Sequence, residues 1–336
     1  MSSWRSCSLT SVHHSSRLVA KVEQAGLDPR LALQRSSLTL ETISELSTKV
    51  KITDEYLVYR NVIALLPGRN ISIEIGLAAR VSVYGLLGYA FLTAPTLRAA
   101  LAVAAEFPAL IANGFNISLE ESDGIAKLNF SDYTGAVDLK SEYAELAIAS
   151  FKRTCSDILG EELQLLSVGF EGKRSDEHGE RCAQQLTCTV LNEQAKNYLR
   201  FSAQYLDKAL PLADPVSHLE ILEICRRQNR EFAAEREWLF QVKAIIAETL
   251  HAPLPLEEIA SRMHCSSRTL RRQLGVFKTS YRQLLDDVRF ERAKIMLKEE
   301  KLQTDQIAEK LGFCDGAGFR RAFQRWSGQA PGAYKA

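Results

Sequence analysis

Arg268, Arg271 and Arg272 stand at 0, +3 and +4 along "SRTLRRQL", and at 100° per residue they share one helix face while Leu270 and Leu274 point the other way. Arg320 and Arg321 repeat the adjacent pair 49 residues later. A row of exposed guanidinium groups is suited to one chemistry in particular. The planar fork donates two parallel hydrogen bonds to O6 and N7 of guanine or to a phosphate, and a good bidentate base contact gives about 1–3 kcal/mol of discrimination. A solvated cationic face is the bland alternative, and the recurrence of the pattern in register weighs against it.

The elements that must hold these arginines are written as a repeat. "LEEIASRMHCSSRTLRRQL" aligns with "TDQIAEKLGFCDGAGFRRAF": Ile259-Ala260 matches Ile307-Ala308, Leu270-Arg271-Arg272 matches Phe319-Arg320-Arg321, and Leu274 matches Phe323, with one extra residue in the second turn. Ser266 and Asp315 take the same N-cap place. Each copy reads as helix, tight turn, helix, with alanine where the two helices approach, which predicts helix-turn-helix units at about 256–275 and 304–326. In the second copy Phe319, Phe323 and Trp326 form the inward stripe, and Ala317, Arg320, Arg321 and Gln324 face out. Gly316 and Gly318 are poor helix formers, about 1 kcal/mol below alanine in a helix interior. Their expected use is to let the start of that helix sit against phosphate or base edges, where N–H groups favour anions. "SYRQLLDDVRFERAKIMLKEE" between the copies is a long helical pattern with Leu284, Leu285, Val288, Ile295 and Met296 on its apolar side. Two such readers on one face of a duplex must stand about 34 Å apart.

Composition sets the bounds. With 336 residues, 46% hydrophobic and 25% charged, the chain has the make-up of a globular protein of two domains. Its net charge of +1 is unevenly spread: residues 230–336 hold 19 Lys and Arg against 14 Asp and Glu, so a basic C-terminal third follows an acidic body, as expected where one domain meets a polyanion. Seven scattered cysteines without CxxC pairing point to a reducing compartment. The N-terminus has no apolar signal core, and the apolar run Val81 to Leu97 is broken by Gly85, Gly88 and Pro95, so a cytoplasmic chain with no membrane span is expected.

Punctuation divides the chain into a flexible N-terminus at 1–20, a regulatory domain at 21–215, a linker helix at 216–236 and a DNA-binding domain at 237–336. The regulatory domain reads as α+β, the DNA-binding domain as all-α. "SIEIGLAARV" has strand character at its start, Tyr84 to Phe107 reads as one or two buried helices meeting near Pro95, and "NISLEESDGIAKLNF" alternates about Asp123-Gly124 as a hairpin. Strands recur in "LQLLSVGFEGK" and "QLTCTVL". Tyr84, Tyr89, Phe91 and Phe107 are as suited to plain core as to a pocket, so no effector-binding residue is assigned.

No phosphate-binding glycine loop, GxSxG or HExxH is present and the six histidines are dispersed, so no enzyme and no cofactor is expected. His178, Cys182 and Cys188 have generic spacing in a segment read as strand-rich, and buried thiols are favoured over a metal site. His13-His14 reads as a solvated pair in a polar tail, and Cys314 lies near the proposed DNA contact.

The second copy with its continuation, "IAEKLGFCDGAGFRRAFQRWSGQAPGAYK", resembles the signature of the AraC/XylS family of bacterial transcription regulators, including Gly328, Pro331 and Tyr334. That resemblance implies base-contacting positions at Ser267, Arg268, Arg271 and Arg272 in the first recognition helix and at Gly316, Ala317, Arg320 and Arg321 in the second. Gly316 and Ala317 depart from the longer polar residues common there, which implies a clamp on phosphate more than a reader. Lys278, in "KTSY", replaces a common glycine, and lysine in a left-handed turn costs about 1 kcal/mol. "FSAQYLDKALPLADP" and "GLLGYAFLTAPTLRAALAVAAEF" are similar to the subgroup with a non-cupin, arabinose-binding-domain-like effector domain. The resemblance implies a sequence-specific regulator, expected to be an effector-responsive activator of a metabolic operon, with promoter DNA, RNA polymerase and a small-molecule effector as partners and a homodimer as its assembly. The rival reading is an architectural or redox- or metal-responsive DNA binder without a metabolite effector.

Overall fold

The computed structural model describes residues 9–45, 48–111, 114–298, 300 and 302–335. The chain divides into two compact units, one covering 10–232 and one covering 233–336.

The first unit begins with strand β1 (Leu9–Ser11) and helix α1 (His13–Gln24), followed by α2 (Leu40–Ser44), β2 (Lys49–Lys51) and α3 (Ile52–Leu65). The expected flexible stretch at 1–20 is thereby corrected for its described part, because Val12, Leu18 and Val19 are buried in the core. Ser15, Leu18, Val19 and Val22 form the buried side of α1. Helix α4 (Ile71–Leu77) replaces the strand expected from "SIEIG". Ile71, Ser72, Ile73, Ile75 and Gly76 are all buried, so the apolar alternation reflects a helix enclosed on most sides and carries no strand period. Gly76 is required: a Cβ there would stand 2.5 Å from Ala149 Cβ. Helices α5 (Leu86–Thr93) and α6 (Leu97–Glu106) meet at Ala94-Pro95, with the Thr96 side chain capping Ala99 N–H, and α7 (Pro108–Ile111) follows. Phe91 and Phe107 are core residues, whereas Tyr89 is exposed.

The sheet comprises β3 (Asn116–Ser122), β4 (Ile125–Ser131), β5 (Leu165–Gly169), β6 (Thr189–Leu191) and β7 (Asn197–Ser202) in the order β3-β4-β7-β5-β6. Asp123 (φ 51°) and Gly124 (φ 72°) close the β3–β4 hairpin, the positive-φ pair that a two-residue turn requires. Helix α8 (Lys140–Leu159) packs on the sheet, with Phe151 edge-on to Phe130 at 5.4 Å. Helix α9 (Asp176–Leu186) is the crossover between the parallel strands β5 and β6. It corrects the strand-rich reading around His178 and Cys182, which lie one turn apart on this helix.

Helix α10 (Pro215–Glu248) contributes Ile221, Leu222 and Cys225 to the first core and Leu239, Val242 and Ile246 to the second. The second unit then consists of α11 (Leu256–Arg262), α12 (Ser267–Val276), α13 (Tyr281–Lys298), α14 (Thr304–Lys310), α15 (Gly316–Ser327) and α16 (Pro331–Lys335). It is an all-α domain with two helix-turn-helix units joined by α13, and the first unit is α+β. No helix among the described residues is long and apolar enough to cross a membrane.

Candidate nucleic-acid interface

The two helix-turn-helix units share one turn geometry. In the first, His264 takes φ 52° and Cys265 N–H bonds back to Ala260 C=O at 2.9 Å. In the second, Gly312 takes φ 68° and Phe313 N–H bonds back to Ala308 C=O at 2.9 Å. Cys314 is the extra residue. It is exposed, and the N-cap after it, Asp315, accepts from Gly318 N–H at 2.6 Å, as Ser266 accepts from Thr269 N–H at 3.1 Å.

Burial sorts the faces as the spacing predicts. Leu270, Leu274, Phe319 and Phe323 are at most 1% exposed, while Arg268, Arg271, Arg272, Arg320 and Arg321 are exposed. Arg271 stands 3.8 Å from Glu257, and both side chains are two-thirds exposed, a pair that salt screens and that leaves the arginine available. Ser267 and Ala317 are half-buried at the first turns of their helices.

Gly316 has a different setting from the one its place in the motif implies. It is buried, and a Cβ there would fall 1.9 Å from Asp305 Oδ1 on α14, with Arg320 Nη1 3.5 Å away. The missing side chain makes room for a carboxylate of the same domain. Asp305 and Asp315 thus both sit at the start of α15, where the helix dipole favours negative charge. The exposed cations on this helix are Arg320, Arg321 and Arg325, of which Arg325 is paired with Asp286.

What fixes the second unit was not signalled by any motif. Arg289 on α13 donates from Nε to Leu311 C=O at 2.8 Å and from Nη2 to Gly312 C=O at 3.0 Å, and its guanidinium lies over the Phe313 ring at 4.5 Å. Burial lowers its pKa from the ordinary arginine value. Arg325 on α15 pairs with Asp286 on α13 at 2.9 Å, and Phe290 packs against Phe323 and Trp326 at 5.5 and 5.9 Å. Lys278 adopts φ 49°, the left-handed conformation its place after α12 demands, with Thr279 N–H bonded to Leu274 C=O at 3.0 Å.

In the first unit, Glu145, His178 and Cys182 bring three donor atoms within 4.8 Å of one another, a grouping without Cys188. Glu145 Oε1 already accepts from Arg174 Nε at 2.7 Å and lies 2.8 Å from His178 Nε2, while Asn70 Nδ2 donates to Cys182 Sγ at 3.2 Å. Burial pushes the Cys182 thiol up to about 12. These residues fit a satisfied polar cluster better than an ion's ligands.

Comparison with known proteins matches both units. A family model described as the arabinose-binding domain of AraC transcription regulator, N-terminal, covers residues 26–210, and a helix-turn-helix domain model covers residues 259–336. The ornithine utilization regulator of Pseudomonas aeruginosa is 27% identical over 331 residues, covering 97% of this chain and 96% of its own. An HTH-type transcriptional regulator of Mycobacterium tuberculosis is 25% identical over 340 residues, covering 96% and 95%. Among solved structures, the transcriptional regulator CdpR from Pseudomonas aeruginosa covers 95% of this chain and 96% of its own at 20% identity and a TM-score of 0.48. The DNA-binding domain of AdpA in complex with a target DNA covers 29% of this chain and 88% of its own at 30% identity and a TM-score of 0.27.

Proposed function

Because the chain belongs to the AraC family and is a DNA-binding transcription regulator, we propose that it reads a promoter through its two helix-turn-helix units and answers to a small metabolite held by the 10–232 unit. One observation carries the DNA half of this reading: the same helix-turn-helix occurs twice, each copy with buried apolar anchors behind an exposed arginine row. Ser267, Arg268, Arg271 and Arg272 serve as the base-reading side of the first unit. In the second, Arg320 and Arg321 clamp phosphate, while Gly316, whose open side Asp305 fills, and Ala317 add no base contacts. A relative named for ornithine utilization supports a small metabolite as effector. Activation by contact with RNA polymerase, a homodimeric assembly and action in the cytoplasm complete the proposal, with a coupling between effector and DNA of about 1–3 kcal/mol.

The test is a genome-wide DNA pull-down with the full chain, followed by binding curves for the best site at two salt concentrations. Arg271→Ala is expected to relax sequence preference at one or two base pairs by about 1–3 kcal/mol. Arg320→Ala is expected to weaken all sequences alike and to reduce the salt slope by about one. Binding without any enriched site would replace this reading with an architectural one.

A further inference from the structure

The core of the 10–232 unit contains a carboxylate that its surroundings leave half-satisfied. Glu55 on α3 is 3% exposed. Its Oε1 accepts from Tyr143 O–H at 2.6 Å and lies 3.0 Å from His14 Nδ1. Its Oε2 is equally buried and has no hydrogen-bond partner. A buried carboxylate oxygen without a donor is strongly unfavourable, so folded chains rarely keep one unless something else fills the place. His14 Nε2 is also buried without a partner. In the tautomer that donates from Nδ1 to Glu55, Nε2 is an acceptor, so both unmatched atoms ask for a donor.

Aromatic rings surround this pair. Tyr59 and Tyr143 stand 5.2 Å apart by ring centroids, Tyr56 lies 5.7 Å from Tyr143, and His14 lies 5.4 Å from Tyr59. Ring faces attract a cation electrostatically, most strongly where water is excluded. The field has the same sign: Glu142, whose Oε2 is a further buried oxygen without a partner, has its pKa raised by burial and then by Glu145. The neighbouring guanidinium groups are committed elsewhere, Arg60 to Asp138 at 2.7 Å and Arg174 to Glu145 at 2.7 Å.

From these observations the geometry points to an effector that carries an ammonium or guanidinium group, seated against Glu55 Oε2 and His14 Nε2 among the faces of Tyr56, Tyr59 and Tyr143. A bare metal ion fits less well, because among the described residues the one grouping of three ligating side chains is at Glu145. The assignment rests on the proposed metabolite-sensing role and narrows it to organic cations. It also gives His14 a function: α1 closes one side of the site, so a bound cation ties α1 to α3 and α8.

The experiment is thermal unfolding of the full chain, wild type and Glu55→Gln, with two panels of probes. The cationic panel is butylamine, 1,4-diaminobutane, agmatine, L-ornithine and L-arginine. The other is 1-butanol, L-arabinose, pentanoate and a broad set of neutral and anionic metabolites. Wild type is expected to melt at higher temperature, in proportion to the logarithm of concentration, with at least one cationic probe. Glu55→Gln is expected to melt, without ligand, no lower than wild type, and to lose at least tenfold in affinity for that probe. A purely structural Glu55 would instead lower the ligand-free melting temperature, and Glu55→Asp, which keeps the charge, checks that outcome. Equal cation binding by wild type and Glu55→Gln overturns the site. Stabilisation of both by a neutral or anionic metabolite alone overturns the cationic class and keeps the effector reading, whereas no stabilisation by any probe overturns both.

Discussion

Gly312→Ala tests how the second helix-turn-helix is held. Gly312 sits at φ 68°, and a Cβ there would stand 2.4 Å from Leu250 C=O and 3.0 Å from His251 C=O, both fixed backbone atoms. Left-handed backbone with a side chain is unfavourable by roughly 1–2 kcal/mol, of which about 0.4–1 is offset because alanine also restricts the unfolded chain. Relieving the clash requires the turn to move off the end of α10, and overpacking of this kind costs about 1–3 kcal/mol. The total is about 3 kcal/mol, which in a unit of this size lowers its melting temperature by roughly 10–20 °C. The repeat supplies the control: His264 has the same turn position at φ 52° and is exposed, so His264→Ala keeps both the conformation and the space. Scanning calorimetry on the full chain should show the C-terminal transition falling for Gly312→Ala and staying within about 2 °C for His264→Ala. Melting of the two variants within 2 °C of each other would refute the reasoning, because the clash with the 250 and 251 carbonyls would then not exist.

Three further outcomes follow from other positions. Lys278→Gly removes left-handed strain at φ 49° and should stabilise the C-terminal unit by about 0.5–1 kcal/mol in chemical denaturation, net of glycine's greater unfolded freedom. Burial raises the folded pKa of Glu142 above its unfolded value, so its contribution is most favourable when protonated and worsens as pH rises through that range. Glu142→Gln should therefore raise the melting temperature at pH 7, with the gain shrinking as pH falls through the raised folded value toward about 4.5 and absent below it; a gain that persists unchanged below about 4.5 would contradict the assignment. Burial pushes the Cys155 thiol up to about 12, while Cys314 is exposed. Mass-resolved alkylation of the native chain at pH 7.5 should modify Cys314 at least about a hundred times faster than Cys155, and comparable rates would show the first core opening readily.

The C-terminal unit was readable because its signals are local. Ile259, Ala260, Leu270 and Leu274 recur at 48–49-residue offsets as Ile307, Ala308, Phe319 and Phe323, and burial follows the 3.6-residue period directly. The role of Gly316 was not readable, because Asp305, which fills the space of its missing Cβ, belongs to the preceding helix. Arg289 escaped notice for a related reason: its targets are backbone carbonyls, which leave no trace in residue types. In the first unit the hairpin and the helix pair at Pro95 were legible, but the enclosed helix α4 mimicked a strand. The cluster at Glu55 was invisible, since its partners His14 and Tyr143 lie 41 and 88 residues away. His14 in particular stands in a polar stretch that reads as solvated until α1 is folded onto α3.

The hold that Arg289 keeps on the carbonyls of Leu311 and Gly312 has a consequence for how such a chain changes over generations. Every residue type offers a carbonyl, and the outward side chains of α15 take no part in that grip. Substitutions at Arg320, Arg321 or Gln324 therefore leave that grip untouched and the helix keeps its stance, so outward surface and posture drift independently.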